Sequence, residues 1–565
     1  MHKSRLLIAI PLLVVFATAG CGGASSLHTW YVDSLIKVFP GDQPGTNELS
    51  EKSWLVPRNG HVNIQVALRT EKAIPKLRVE LKAPERAGKT LEVEPRWVEY
   101  VAVGSNPPGT PFDELARPAP ALFPDPLMET WPFELKAAKT QPVWLTVYAP
   151  ADAPPGDYAG EARFFSDREP LKTTGFTVRV AEATVPVEPK LRVTNWFNFS
   201  YDPATSDLRL HYKIEPYSDK HWELLGNLGR VMAAHKQNVI LTPVMMLAKP
   251  AISGGAIRYD FSLLDKWVET FQKAGVVGTI EGGHLLGRSG GFFTPMVVPA
   301  YVIEGGQVVS KPLDTDDPRA EQFLDSFLTA LYAHLREKGW EKQYIQHVSD
   351  EPHDREAPIY NRYSKIIHRN LPGVLTIDAV GLDQDISFFA DVCDIWVPVL
   401  SSFDHQLDKI RTHVEKGGQA WFYTCIGPQG RYLNRFIDLP LVKTELLHWF
   451  NFRYDLTGFL HWGGSSWGPK PFQNVQTVIN DNRTLLPAGD NAIVYPNSEK
   501  LSVLSSIRLE AMLEGIEDYE LLVALSGKDP AKAKELAKTA IPNINDYIRD
   551  VPAFRNLKRQ LVEAF

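Results

Sequence analysis

Two neighbouring carboxylates, Asp350 and Glu351, follow residues 344–349, a run that is typical of a buried strand. Pro352 stops this run and restricts the backbone of Glu351. Glycoside hydrolysis needs a protonated carboxyl for the leaving oxygen and a second group that stabilises positive charge at the anomeric carbon. On a 2-acetamido sugar the substrate's amide oxygen can attack, and a carboxylate then orients the amide. The pair indicates this chemistry; the alternative is that both acids only open the following helix.

An alternation of strands and helices, beginning near residue 191, must position these acids. Eight apolar stretches predict strands, with helical stretches between them. This order is typical of a (β/α)8 TIM-type barrel, whose chemistry lies on the loops after the strands' carboxyl ends. The acids end the fourth strand and are expected at that face. The predicted strands are 191–200, 238–246, 277–285, 344–349, 375–380, 394–400, 419–426 and 456–462.

Four more residues are candidate substrate-binding groups because of their places on these strands. Tyr423 lies late in the seventh strand, where its hydroxyl either holds an acetamido oxygen or packs inside the barrel. Trp462 and Trp467 flank the end of the eighth strand and either wall the sugar ring or pack within a loop. His347, three residues before Asp350, is expected to hydrogen-bond within the barrel rather than act as an acid.

Several motifs strengthen this interpretation. Besides the strand that ends in Asp350, Glu351 and Pro352, they are WFYTC at 421–425, NRF at 434–436, GFLHW at 458–462, GDNAIVYP at 489–496, RLE at 508–510 and GIEDYE at 515–520. With these motifs, residues 191–525 resemble glycoside hydrolase family 123. The resemblance implies a β-N-acetylgalactosaminidase with substrate assistance, in which Asp350 orients the acetamido group and Glu351 is the general acid/base.

Other kinds of site are not indicated. Residues 281–284 read EGGH and lack the spacing of a zinc motif. The Gly-x-Ser-x-Gly pattern at 287–291 and 464–468 leads into no predicted helix, as a nucleophile elbow would. We find no glycine-rich nucleotide fingerprint after a strand. We therefore expect no metal and no cofactor.

The first residues predict export. Lys3 and Arg5 precede an apolar run at 6–17, and small residues then lead to Cys21. This pattern resembles a bacterial lipoprotein signal with Cys21 lipidated; the alternative is an ordinary signal peptide. Because Gly22 stands where Asp often retains such proteins at the inner membrane, we expect an envelope protein of the outer membrane or facing the periplasm.

The remaining patterns predict a multidomain chain. Alternating polar and apolar residues at 61–68, 77–81 and 176–180 indicate half-buried strands of an antiparallel β-sandwich. The predicted parts are a signal peptide at 1–21, a tether at 22–27, the sandwich at 28–189, the barrel at 190–528 and a C-terminal helical extension at 529–565. Cys393 and Cys425 are either free thiols or a disulfide.

The expected function is that of a retaining exo-glycosidase for terminal β-linked N-acetylgalactosamine. Its partner is a glycan or glycolipid substrate, and the formal net charge of -7 gives no reason to expect a nucleic acid. One alternative is a glycosidase of other specificity, such as for an N-acetylglucosaminide. Another is a non-catalytic surface glycan-binding protein. The oligomeric state is left open.

Overall fold

The computed structural model describes residues 27–197, 207–276, 278–381, 384–479 and 484–565. The predicted signal peptide, Cys21 and tether residues 22–26 lie outside this part of the chain. Within it, no helix is long and apolar enough to cross a membrane. The domain limits drawn from the sequence stay predictions.

Two sheets form the N-terminal part and share one apolar core, to which Ile64 and Leu145 of the first and Phe164 and Val178 of the second contribute. The first sheet has the order β1 (His28–Val32), β3 (Gly60–Arg69), β9 (Thr140–Ala149), β6 (Glu92–Val103) and β7 (Ala121–Met128). The second has the order β2 (Ser53–Arg58), β11 (Glu169–Thr184), β10 (Gly156–Ser166), β4 (Ile74–Arg86) and β5 (Lys89–Thr90), with β8 (Phe133–Leu135) beside β4.

The predicted antiparallel pairing is present with one exception. Edge strand β2 runs parallel to β11. The chain continues from β2 directly into β3 of the other sheet, so β2 and β11 are not joined by a hairpin. The alternation predicted at 176–180 is present in β11: Phe176, Val178 and Val180 are buried, and Arg179 between them is exposed.

Eight parallel strands form a nearly closed barrel. They pair in the order β12, β24, β23, β22, β21, β20, β16 and β13. Side chains bridge the remaining gap between β12 and β13, since Val193 N donates to Asn238 Oδ1 at 3.0 Å and Asn195 N to Gln237 Oε1 at 3.1 Å. The bounds are Arg192–Asn195 (β12), Val239–Thr242 (β13), Thr279–Gly282 (β16), Tyr344–His347 (β20), Leu375–Val380 (β21), Ile395–Pro398 (β22), Gln419–Tyr423 (β23) and Gly458–His461 (β24).

Helices follow most of these strands. They are α1 (Asp219–Ala234), α2 (Val244–Leu247), α3 (Ser262–Lys273), α4 (Pro318–Lys338), α5 (Ala357–Asn370), α6 (Phe403–Glu415), α7 (Val442–Arg453), α8 (Ile507–Ser526), α9 (Pro530–Ala540) and α10 (Val551–Val562). The sequence also predicts a helix at 383–391 between two barrel strands, and this prediction is wrong: the described part is a short 3-10 turn, Ile386–Phe389, that begins where the Asp385 side chain accepts from Ser387 N.

The loops at the catalytic face carry small sheets that the sequence did not predict. After β13 comes a hairpin of β14 (Lys249–Ser253) and β15 (Ala256–Asp260). After β16 come β17 (Gly287–Arg288), β18 (Met296–Glu304) and β19 (Gln307–Asp314). Within 463–504 lie β25 (Val478–Ile479), β26 (Thr484–Leu485), β27 (Tyr495–Asn497) and β28 (Ser502–Leu504).

A buried ion pair joins the N-terminal sheets to the barrel. Arg508 of α8 donates to both carboxylate oxygens of Asp125 in β7, at 2.8 Å each, and both side chains are fully buried. The same guanidinium donates to the carbonyl oxygens of Gly489 and Ala492. Arg508 thus ties the loop after the last barrel strand to the first domain. Cys393 and Cys425 are free thiols.

Candidate active site

Asp350 and Glu351 emerge directly after β20, at the carboxyl end of the barrel strands. The Asp350 side chain is 53% exposed and lines a cavity of about 470 Å³. Glu351 is half-buried, and its φ of +37° lies in the left-handed region that residues other than glycine rarely adopt. Such strained positions persist only where the surrounding structure holds them, and they are frequent at active sites. Gly381 lies beside this side chain: a Cβ built on the glycine would stand 3.4 Å from the Glu351 carboxyl, at van der Waals contact.

The surroundings of Glu351 suit a general acid. Burial and the negative charge of Asp350 raise the pKa of Glu351 to about 7, against the opposing effects of a hydrogen bond from the Tyr423 hydroxyl and the charge of Arg288. A carboxyl with this pKa is protonated in a large share of molecules near neutral pH, and its conjugate base is available for the reverse transfer.

A buried ion triad lies beneath the acids. His347 in β20 hydrogen-bonds through Nδ1 to Asp378 and through Nε2 to Glu281, each at 2.8 Å, and the three side chains are fully buried. Burial lowers the pKa of His347, but the hydrogen bonds and charges of the two carboxylates outweigh it and raise that pKa to about 10. The ring is an imidazolium near neutral pH and donates from both nitrogens.

This geometry corrects the sequence-based placement of His347. The residue is not a substrate-binding group, because its ring lies wholly inside the barrel and carboxylates occupy both nitrogens. The expectation that it hydrogen-bonds within the barrel holds. His284, His347 and Asp378 also have potential metal-ligand atoms within 4.8 Å of one another. An imidazolium that donates from both nitrogens offers no lone pair, so the arrangement does not suit a metal ion.

Asp378 sets the direction in which the strand leaves the barrel. Its carboxylate accepts from the backbone N–H groups of Val348 at 2.9 Å and Ser349 at 3.2 Å, and from the Tyr360 hydroxyl at 2.7 Å. The two backbone groups immediately precede Asp350. The carboxylate therefore fixes the point from which both acids project.

Glu281 connects the triad to the first barrel strand. Its carboxylate accepts from Thr194 Oγ1 at 2.8 Å and from the Trp196 indole N–H at 2.9 Å, in addition to His347. These three donors stabilise the negative charge of the fully buried carboxylate.

His284, at the end of the third strand, is a site residue that sequence reasoning missed. Its Nε2 lies 4.0 Å from Asp350 Oδ1 and 3.8 Å from Asp378 Oδ1, and this atom has no hydrogen-bond partner in the described part of the chain. Burial, and then the charge of His347, lowers the pKa of His284, so the ring is neutral. Its position at the end of a predicted barrel strand could have identified it. The sequence analysis considered this stretch only as a zinc motif, whose spacing it lacks.

The three aromatic candidates lie in different surroundings. Tyr423, buried in β23, directs its hydroxyl to Glu351. Trp462, directly after β24, is half-buried at the same face, near Asp490. Trp467 is only 7% exposed, donates to the carbonyl oxygen of Val494 at 2.7 Å and packs near Tyr212. Placing Trp467 against the sugar was therefore wrong: it packs within the loop, the alternative considered for it.

Two sequence models of known protein domains match this chain. The sequence model of the glycoside hydrolase 123 catalytic domain matches residues 204–525, and that of the glycoside hydrolase 123 N-terminal domain matches residues 39–164. The chain belongs to glycoside hydrolase family 123. This confirms the resemblance drawn from the motifs and makes the chain a glycoside hydrolase. No curated protein matches this family 123 chain significantly.

Of two solved structures that match this family 123 enzyme, the first shares its fold. A family 123 glycoside hydrolase from Clostridium perfringens, studied for glycolipid glycan hydrolysis, is 18% identical with a TM-score of 0.72, over 95% of this chain and 96% of its own. A family 39 glycoside hydrolase from Bacteroides cellulosilyticus is 10% identical with a TM-score of 0.36, over 83% of this chain and 82% of its own.

The ion triad predicts a pH-dependent contribution to stability. The pKa of His347 is 6.5 ordinarily and about 10 in the folded chain, so its contribution is complete below about pH 6.5 and is lost as pH rises towards 10. We expect His347→Gln to lower the free energy of unfolding by several kcal/mol at pH 6.5, with a smaller difference at pH 9.5. Denaturant unfolding at both pH values measures this. His368→Gln, at a partly exposed pair with Asp394, is the control and should cost under about 1 kcal/mol. A difference for His347→Gln that does not change with pH would contradict the prediction.

The Tyr423 hydrogen bond predicts a shift in the pH–rate profile. A general acid at Glu351 must be protonated to act, so the prediction for that role is an activity that falls as pH rises through about 7. Tyr423→Phe removes a hydrogen bond that favours the carboxylate, and we expect the basic limb of kcat/KM to move up by roughly one pH unit. Tyr344→Phe, which removes a hydroxyl bonded to Gln346 instead, should leave the limb in place. If the limb stays put in Tyr423→Phe, the tyrosine does not tune this acid.

Proposed function

We propose that this enzyme is a retaining exo-glycosidase that releases terminal β-linked N-acetylgalactosamine from glycans or glycolipids. The observation that carries the proposal is the contrast between two adjacent acids. Glu351 is half-buried with a raised pKa and suits proton transfer, while Asp350 is exposed at the wall of a cavity and suits contact with the substrate amide. The hydrolysis of glycolipid glycans studied in the similar Clostridium perfringens protein supports the substrate class.

The proposed reaction has two steps. Protonated Glu351 donates its proton to the leaving glycosidic oxygen while the substrate's amide oxygen attacks the anomeric carbon. Asp350 accepts the amide N–H and stabilises the positive charge of the cyclised intermediate. The Glu351 carboxylate then removes a proton from water, which attacks the same carbon and reopens the ring. Two inversions restore the starting configuration, which is why the enzyme is proposed to be retaining.

The fold supports this assignment of roles. We take the nearly closed barrel to be of the TIM type, in which catalytic groups gather after the carboxyl ends of the strands. Asp350, Glu351, Tyr423 and Trp462 all lie at those ends. Trp462 is proposed to wall the sugar ring. The preference for galactosamine over glucosamine rests on the family alone.

Variants of the two acids test the mechanism on aryl N-acetyl-β-D-galactosaminides. We expect Asp350→Asn to lower kcat/KM at least about 100-fold on every acetamido substrate. Glu351→Ala should lose about 10² to 10⁴-fold on poor leaving groups and much less on dinitrophenol, which needs no proton. The exposed Asp354→Asn is the matched control and should keep full activity.

An N-acetyl thiazoline, which mimics the cyclised intermediate, gives an independent measurement. Strong competitive inhibition is expected of the unaltered enzyme and weak inhibition of Asp350→Asn. Full activity of Asp350→Asn, or no inhibition of the unaltered enzyme, would refute amide participation. Parallel rates on N-acetylglucosaminide and galactoside substrates establish the sugar preference.

We also propose that a lipid on Cys21 anchors the exported enzyme in the bacterial envelope, at the outer membrane or facing the periplasm. The sequence pattern before Cys21 supports this. In a bacterial host, labelled palmitate should enter the unaltered chain and Cys393→Ser but not Cys21→Ser, and Cys21→Ser should leave the membrane fraction. Equal labelling of Cys21→Ser would refute the anchor.

A further inference from the structure

The cavity beside Asp350 is larger than an acetyl group would fill, and its wall is mostly apolar. Its volume of about 470 Å³ lies within the range of roughly 300–1,000 Å³ of small-ligand pockets. Val244 and Leu286 in its wall are buried, whereas Met246 is 50% exposed. The apolar part of the wall includes Val244, Met245, Met246, Leu286, Pro299 and Tyr301.

The polar groups around this cavity are mostly engaged elsewhere. The Tyr301 hydroxyl donates to the carbonyl oxygen of Met245 at 3.0 Å, so its ring rather than its hydroxyl is free for a ligand. Arg288 forms an ion pair with Glu356 through Nη1, whereas its buried Nη2 has no hydrogen-bond partner in the described part of the chain. Arg288, Ser310 and Ser349 also line the space, so Asp350 and His284 stand beside a cavity whose wall is mostly, but not wholly, apolar.

The geometry of an amide relates this space to the substrate. A secondary amide is planar and trans. Its N–H and the first carbon of its acyl chain consequently lie on the same side of the bond between nitrogen and carbonyl carbon. When Asp350 accepts the N–H, the acyl chain extends past the Asp350 carboxylate, along the cavity wall that this residue shares with Val244 and Leu286.

We propose that this cavity is an acyl subsite that accepts 2-acylamido sugars whose acyl chains are longer than acetyl. This rests on the proposed function, because Asp350 must bind the amide. Apolar chains gain affinity in such a space, up to about fourfold for each fully buried methylene. Longer alkyl chains also leave the nucleophilicity of the amide oxygen nearly unchanged, so the chemical step is preserved.

The test is a series of 4-nitrophenyl 2-acylamido-2-deoxy-β-D-galactosides that carry acetyl, propanoyl and butanoyl groups. We expect kcat/KM for the butanoyl substrate to stay within about tenfold of the acetyl value. A larger fall, with the acetyl substrate still hydrolysed, refutes the subsite and leaves the proposed function standing. Loss of turnover on all three substrates refutes the proposed function, and the subsite with it.

A pair of variants shows which part of the substrate enters the cavity. Ser310, an exposed residue of β19, lines it, whereas Gln307 is exposed on the same strand and does not. Ser310→Trp fills the space and should lower the ratio of butanoyl to acetyl kcat/KM at least tenfold. Gln307→Trp should leave the ratio unchanged. If Ser310→Trp instead alters the preference between aryl and sugar leaving groups and keeps the acyl ratio, the cavity holds the leaving group and the proposal fails.

Discussion

A single imidazolium held between two buried carboxylates supports the catalytic end of the barrel. Two acids as close as Glu281 and Asp378 would repel each other in the interior, and the charge on His347 makes their burial possible. The hydrogen bonds also connect β16, β20 and β21 through their side chains. Asp378 of the triad in turn holds the backbone immediately before Asp350, so the triad supports the strand end that carries Asp350 and Glu351.

A second buried network explains why the barrel is joined to its N-terminal sheets. Helix α8 is buried on every side and still carries many acids, which would be costly without partners. The sheets supply those partners on one side: Arg96 pairs with Glu510 and Asn63 binds Glu514. On the other side, Lys558 of α10 pairs with Glu514. Glu510 of the RLE motif and Glu514, just before the GIEDYE motif, are thus structural contacts between parts of the chain.

The two proposed catalytic acids are adjacent in sequence but differ in environment. A left-handed backbone at Glu351 turns its side chain towards Tyr423 and Gly381, away from the cavity that Asp350 lines. Strain of this kind costs about 1–3 kcal/mol and must be offset by the surrounding structure. Here the anchoring of Val348 and Ser349 by Asp378 provides a rigid base for it.

The sequence by itself determined the eight barrel strands, the N-terminal sheets, the place of Asp350 and Glu351 at the end of the fourth strand, and the family. These features follow from local periodicity and short motifs, which neighbouring residues encode. Only the tertiary structure decided that His347 belongs to a buried triad, that Trp467 packs within its loop and that His284 faces Asp350. Those outcomes depend on partners far along the chain: Glu281 lies 66 positions from His347, and Tyr423 lies 72 positions from Glu351. Only closure of the barrel brings such residues together. The spacing of residues within one strand does not indicate which residue of another strand a side chain will contact.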